Sequence, residues 1–226
     1  RTYLERAVAL RRDGRHAHGL LESLNALGAL LLTVGEPDAA VSAMEEAYEL
    51  SKRVGNRRMQ GMLQNNLGET LINGGRLDDG EGLLYKAVES AGRLADHNLL
   101  SDASRNLAMA ARQRNDGDRA LKWGRRAVAA AQLSDVTRVR AAAMGTLAEI
   151  LADRNELDAA DTAFSRAAQL WKEANEIAGL TSCLHAHAAF LVRHERQTEA
   201  AELLKMVDSL RRRVANTSPR SRPTES

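Results

Sequence analysis

Cys183, His185 and His187 form the densest group of metal-ligating side chains in the chain, and coordination of a soft divalent ion is the chemistry such a set would do. The spacing argues against it, because residues two apart on a helix point to different sides. His16 and His18 have the same problem. His187 stands where the pattern described below carries leucine, so it reads as a buried, satisfied histidine. The acidic run Asp78, Asp79 and Glu81 lacks the alternating ligands of a calcium loop and opens a helix, where negative charge suits the dipole. No GxxxxGK loop, no GxSxG elbow and no His, Asp or Glu pair at catalytic spacing occurs. An enzyme is therefore not expected, nor a cofactor or metal. Trp123 and Trp171 read as packing residues. Arg211, Arg212 and Arg213, with Arg220 and Arg222, make a basic C-terminus that would either meet an acidic partner or nucleic acid, or complement the end of a helix.

Composition narrows the elements that must carry these residues. The 226 residues are 44% hydrophobic but only 3% aromatic, so packing has to come from Ala, Leu and Val, which suits close helix pairs. Basic and acidic residues nearly balance, 32 against 30, for a net charge of +2. That balance gives no reason to expect a nucleic acid partner. Cys183 is the one cysteine; it excludes an internal disulfide and fits a reducing, cytoplasmic setting. No apolar run approaches the ~18 residues of a membrane helix.

The organising feature is a 40-residue period. One column holds Gly28, Gly68, Ala108, Ala148 and Ala188; a second holds Ala40, Gly80, Ala120, Ala160 and Ala200; a third holds Ala47, Ala87, Ala127 and Ala167, then Val207. Leu27, Leu67, Leu107 and Leu147 stand beside the first column until His187 breaks the series, and the turn formers Gly35, Gly75, Asn115 and Asn155 recur in phase. Small residues in register over five units mark a solenoid of helical hairpins. The spacing predicts helix pairs at 16–33 and 38–54, 57–73 and 77–94, 97–114 and 118–133, 136–154 and 157–174, and 177–193 and 198–214. Leu4, Ala7 and Leu10 lie forty before Met44, Ala47 and Leu50, so residues 1–14 read as the second helix of a truncated upstream repeat. The units are then 15–56, 57–96, 97–135, 136–175 and 176–214. Residues 215–226 are polar, with two prolines and no apolar periodicity, and are expected to be disordered. Asp208 replaces Tyr48, Val88, Val128 and Ala168 in its column and should be wet, as befits the end of the array.

These residues resemble the tetratricopeptide repeat, with its Leu-Gly pair in helix A (Leu67, Gly68) and spaced small residues in helix B (Gly80, Ala87). The unit is 40 residues rather than 34, and the proline that usually ends helix B is replaced by Lys52, Gly92, Gln132 and Lys172. In length it is similar to the extended repeats of kinesin light chains, spindle-orientation adaptors and bacterial signalling ATPases and transcriptional regulators. The resemblance implies an all-α fold, a right-handed α-solenoid of five hairpins preceded by a half repeat, whose A helices line a concave face. It carries the family's peptide-contacting sites to Asn25; to Asn65, Asn66, Glu69 and Asn73; to Arg105, Asn106, Met109, Arg112 and Gln113; to Thr146, Glu149 and Asp153; and to His185 and Arg193.

An asparagine amide both donates and accepts, so it can hold an extended peptide backbone whatever the side chains; a wet helix face tolerates it equally. Arg105 and Arg112 lie two turns apart on one helix face, and planar guanidinium forks suit a carboxylate. Glu69 before them and Glu149 with Asp153 after them give a groove of mixed sign, for a partner segment with an acidic residue flanked by basic ones; alternatively the charges pair among themselves across helices. The family's clamp for a C-terminal carboxylate is absent. The expected function is a non-catalytic scaffold holding a protein or peptide in the concave groove, within a larger signalling or regulatory protein. The other reading is a sensory or self-association module that controls an attached effector, a kinase, ATPase or transcriptional regulator, through its ends.

Overall fold

In a computed structural model, which describes residues 1–13 and 17–217, the described residues form eleven α-helices in two compact units, the second beginning at Asp135. The first unit holds α1 (Thr2–Asp13), α2 (Ala17–Thr33), α3 (Pro37–Arg53), α4 (Arg57–Asn73), α5 (Leu77–Leu94), α6 (His97–Gln113) and α7 (Gly117–Gln132). The second holds α8 (Thr137–Asp153), α9 (Leu157–Glu173), α10 (Ile177–Arg193) and α11 (Gln197–Thr217). Within each unit consecutive helices pack as hairpins, α2 on α3, α4 on α5 and α6 on α7, then α8 on α9 and α10 on α11. The fold is all-α, of the solenoid class. From α2 to α10 the helix bounds fall within one residue of the periodicity's expectation. His16 itself lies outside the described residues.

The turns explain why the pairs close where they do. Gly35 and Gly75 have φ of 80° and 82°, and Asn115 and Asn155 both have 58°, the left-handed region that Gly and Asn enter at least cost. Glu195 takes the same place in the last hairpin at φ 61°, without the residue type that signals it. Pro37 sits in the first turn of α3, where its missing N–H is an orphan in any case. Asn56, Asp96 and Asp116 cap α4, α6 and α7 by accepting from Met59, Leu99 and Arg119 N–H, each at 3.0 Å.

The core is the three small columns. Ala40, Ala47, Ala87, Ala108, Ala120, Ala127, Ala148, Ala160 and Ala167 are all fully buried. A Cβ on Gly68 would stand 2.8 Å from Leu84 Cγ and 3.0 Å from Gly80 O, and one on Gly80 would stand 2.7 Å from Gly68 O. The two backbones therefore meet with nothing between them. Large residues fill the space around these crossings, among them Leu21, Leu63, Leu84, Leu107, Phe164 and Phe190. Leu32 departs from its apolar pattern and faces outward, 37% exposed.

The C-terminus differs from the sequence expectation. Helix α11 continues to Thr217, so the tail expected to be disordered from 215 begins inside a helix. Arg211, Arg212 and Arg213 are good helix formers, and Arg212 Nε donates back to Asp208 O at 3.3 Å. Residues 218–226 lie outside the described residues. Asp208 is exposed, as its break in the column requires.

Candidate functional site

The A helices of the first unit, α2, α4 and α6, are joined by one chain of side-chain hydrogen bonds. Asn66 Nδ2 donates to Asn25 Oδ1 at 2.9 Å, Asn65 Nδ2 to Asn66 Oδ1 at 3.2 Å, and Asn106 Nδ2 to Asn65 Oδ1 at 3.1 Å. Asn106 Nδ2 also reaches Glu69 Oε2 at 3.3 Å, and Glu69 Oε1 lies 3.7 Å from Arg105 Nη2. The period explains the geometry. Each link between helices runs over 41 residues, so adjacent asparagines in one helix serve the helices before and after it. Asn65 and Asn106 are 6% and 3% exposed, and a buried amide must find partners.

The sequence reading gave these amides to a peptide backbone, whereas they first satisfy one another. They are not saturated. A primary amide offers two N–H donors, and the bonds described use one of Asn66's and neither of Asn25's. Arg105 is likewise incompletely engaged: its pair with Glu69 is longer than a hydrogen bond, and its Nε is buried without a partner. For Arg105 and Glu69 the expected pairing of charges across helices is thus realised, loosely.

The remaining expected residues spread out. Met109 and Arg112 are half-buried on α6, with Arg112 Nη1 3.4 Å from Met109 Sδ. Asn73 and Gln113 end their helices exposed. In the second unit Thr146 is buried on α8, Glu149 half-buried and Asp153 exposed; on α10 His185 is half-buried and Arg193 exposed.

Sequence reasoning missed two polar centres. Glu81, 8% exposed, accepts from Arg114 Nε at 3.0 Å and from Arg119 Nη2 at 2.5 Å, while Arg119 also donates to Tyr85 OH at 2.8 Å. Asp78 pairs with Arg114 and Asp79 with Arg76. The acidic run is therefore a set of individual carboxylate–guanidinium pairs as well as a helix start, and the bond to Glu81 raises Arg119 above its ordinary pKa against the opposing effect of burial. Trp123 beside it packs on Tyr85, ring centroids 5.8 Å apart, under Arg126.

The second centre surrounds His187. The ring is buried as expected, stacked on Phe164 at 4.9 Å, with Nε2 2.6 Å from Asp161 Oδ1. Arg196 Nη1 donates to Asp161 Oδ2 at 3.0 Å. Burial pushes Asp161 up, but these two hydrogen bonds outweigh it and hold the carboxyl below its ordinary range. Arg1 and Glu36 occupy the same two columns as Asp161 and Arg196 and form the same ion pair with the signs reversed, so neither column carries one charge consistently. Cys183 lies on the same buried side of α10 as His187, its thiol pushed up to about 12 by burial and by the charge of Glu149. It is an unreactive core thiol.

Comparison with known proteins agrees with this architecture. Residues 20–54 and 60–132 match two sequence models of the tetratricopeptide repeat. No curated protein matches the chain in sequence. Among solved structures, BtubC (BKLC) from P. vanneervenii is similar with a TM-score of 0.74 at 18% identity, over 100% of this chain and 94% of that one. The apo form of RapI gives 0.76 at 16% identity, over 95% and 77%. A putative kinesin light chain from Podosopora anserina with nearly identical TPR-like repeats gives 0.64 at 16%, over 87% and 97%. At such identities the likeness is one of fold. Among the described residues no helix is long and apolar enough to cross a membrane.

Proposed function

This chain is a tetratricopeptide-repeat protein, and from that premise we propose that it is a non-catalytic interaction scaffold that holds an extended protein segment along α2, α4 and α6. The observation that carries the reading is the amide chain ending at Arg105. It fixes a row of polar side chains across three helices while leaving N–H donors on Asn25 and Asn66 for a peptide carbonyl. A carboxylate of the bound segment would be a closer partner for Arg105 than Glu69 at 3.7 Å, and a guanidinium–carboxylate fork is the stronger geometry. The segment therefore carries an acidic residue opposite Arg105, with a basic neighbour for Glu69. Selection from a random twelve-residue peptide library tests this. Peptides enriched in Asp or Glu at one position, released by Arg105→Ala and weakened by Asn25→Ala in a chain of unchanged helicity, are the expected result. Binding indifferent to both substitutions removes the site.

A further inference from the structure

Trp171 breaks a column. Forty, eighty and 120 residues earlier stand Ala131, Ala91 and Ser51, all buried and small. The column eight residues on changes in the opposite sense, from Met59, Leu99 and Val139 to Gly179. The exchange is physical: a Cβ on Gly179 would stand 2.4 Å from Trp171 Cε3, so the indole lies against the bare backbone of α10. An aromatic ring held this way is a fixed wall, and it faces space. Between the C-terminal halves of α9 and α11, over the first turn of α10, is a pocket of about 470 Å³.

The walls are Trp171, Ile177, Leu180, Met206 and Leu210, with Met206 52% exposed. Among the described residues, the ionisable groups at the rim are Lys172, Arg213 and Glu176. Volume and lining are those of small-molecule sites, which run from about 300 to 1,000 Å³ and are apolar with a few polar groups that fix orientation. A further hairpin would not fill this space. Such a hairpin would pack on the face of α11 that carries Leu204 and Asp208, as α4 packs on Met44 of α3. Met206 and Leu210 lie two residues on, roughly 200° around the helix.

We propose that this pocket is a binding site for a small molecule with an aromatic or otherwise apolar body and an anionic head, a carboxylate or sulfonate. The body lies against Trp171 and the adaptable thioether of Met206, and the head is drawn to Lys172 at the rim. The proposal revises the reading of Trp171 as packing alone, and it is independent of the peptide face on α2, α4 and α6.

The test uses the full chain carrying Trp123→Phe, which leaves Trp171 as the sole tryptophan, titrated with 8-anilinonaphthalene-1-sulfonate. Saturable energy transfer from Trp171 to one bound probe per chain is expected. Met206→Glu, at a half-exposed position, should weaken it at least about tenfold, and Lys172→Glu by several-fold, since each sets a carboxylate against the anion; Lys172→Arg should retain it. Circular dichroism confirms that the variants keep their helices. Titrations unchanged by Met206→Glu and Lys172→Glu overturn the proposal. So does a concentration-dependent dimer that Met206→Glu dissociates, since the occupant is then a second copy.

Discussion

Asn106 donates its side-chain amide to Oδ1 of Asn65 at 3.1 Å, joining α6 to α4 across a separation of 41 residues. Both amides are almost sealed from water. Removing the donor leaves a buried carbonyl oxygen unsatisfied, which costs more than the bond contributes. Asn106→Ala is therefore expected to lower stability by about 1–3 kcal/mol. Asn25→Ala, at the half-exposed end of the chain, should cost far less. Urea unfolding of the two variants checks the order, and equal midpoints would contradict it.

Helix crossings give opposite outcomes for two glycines on one helix. Gly80→Ala places a Cβ 2.7 Å from Gly68 O, a backbone atom that cannot turn aside. A loss of roughly 1–3 kcal/mol is expected, and Ala127→Leu, in another fully buried small column, should do the same. Gly82→Ala meets nothing within 4 Å and should gain roughly 0.5–1 kcal/mol, because alanine suits a helix interior better. Thermal melting of the three variants decides whether the crossing or simple helix propensity governs this segment.

The same contrast shows how much was legible in the chain. Periodicity placed the helices because a residue that must be Gly or Ala at every crossing leaves a mark at a fixed interval, and Gly35, Gly75, Asn115 and Asn155 mark their turns by backbone conformation. Glu195 adopts that conformation too, yet no residue type announces it. The inward-facing asparagines were also legible as a row, since Asn25 and Asn65, and Asn66 and Asn106, are forty apart. Their mutual bonding was not, because it links residues 41 apart, one step off the repeat. The pairs around Glu81 and Asp161 join columns whose charges change sign between hairpins, so composition at either position carries no consistent signal. The division of the chain after Ser134 has no mark in the small columns at all.

Asp161 predicts an acid limb to stability. Burial would raise its carboxyl, yet hydrogen bonds from His187 and Arg196 bring it below the ordinary 3.8. The unfolded chain then binds the proton more readily than the folded one, so this contribution is complete above the ordinary value and is lost as pH falls through the lower, folded one. Asp161→Asn should remove about 1–3 kcal/mol at neutral pH, as expected for bonds to a charged acceptor. It should also flatten the decline below pH 4, as read by urea midpoints at a series of pH values. A variant with an unaltered acid limb would show that other carboxylates govern it.

Cys183 predicts the opposite sign. Its thiol, 8% exposed and 3.7 Å from Phe164 O, is pushed from 9.0 up to about 12, chiefly by burial. The neutral form is the one that fits the core, so the folded chain holds the proton after the unfolded chain has released it. The associated stability is intact below pH 9 and declines as pH rises toward the folded value. Since only the thiolate attacks a disulfide reagent, labelling by dithionitrobenzoate at pH 8 should be about a thousandfold slower in the native chain than in the unfolded one, which follows from a shift of this size. Increasing urea should bring the rate up in step with the loss of helix, because exposure and thiolate formation then arise from the same event. Fast labelling of the fully helical chain would place Cys183 at a surface, and would displace the α10 face that also buries His187 against Phe164.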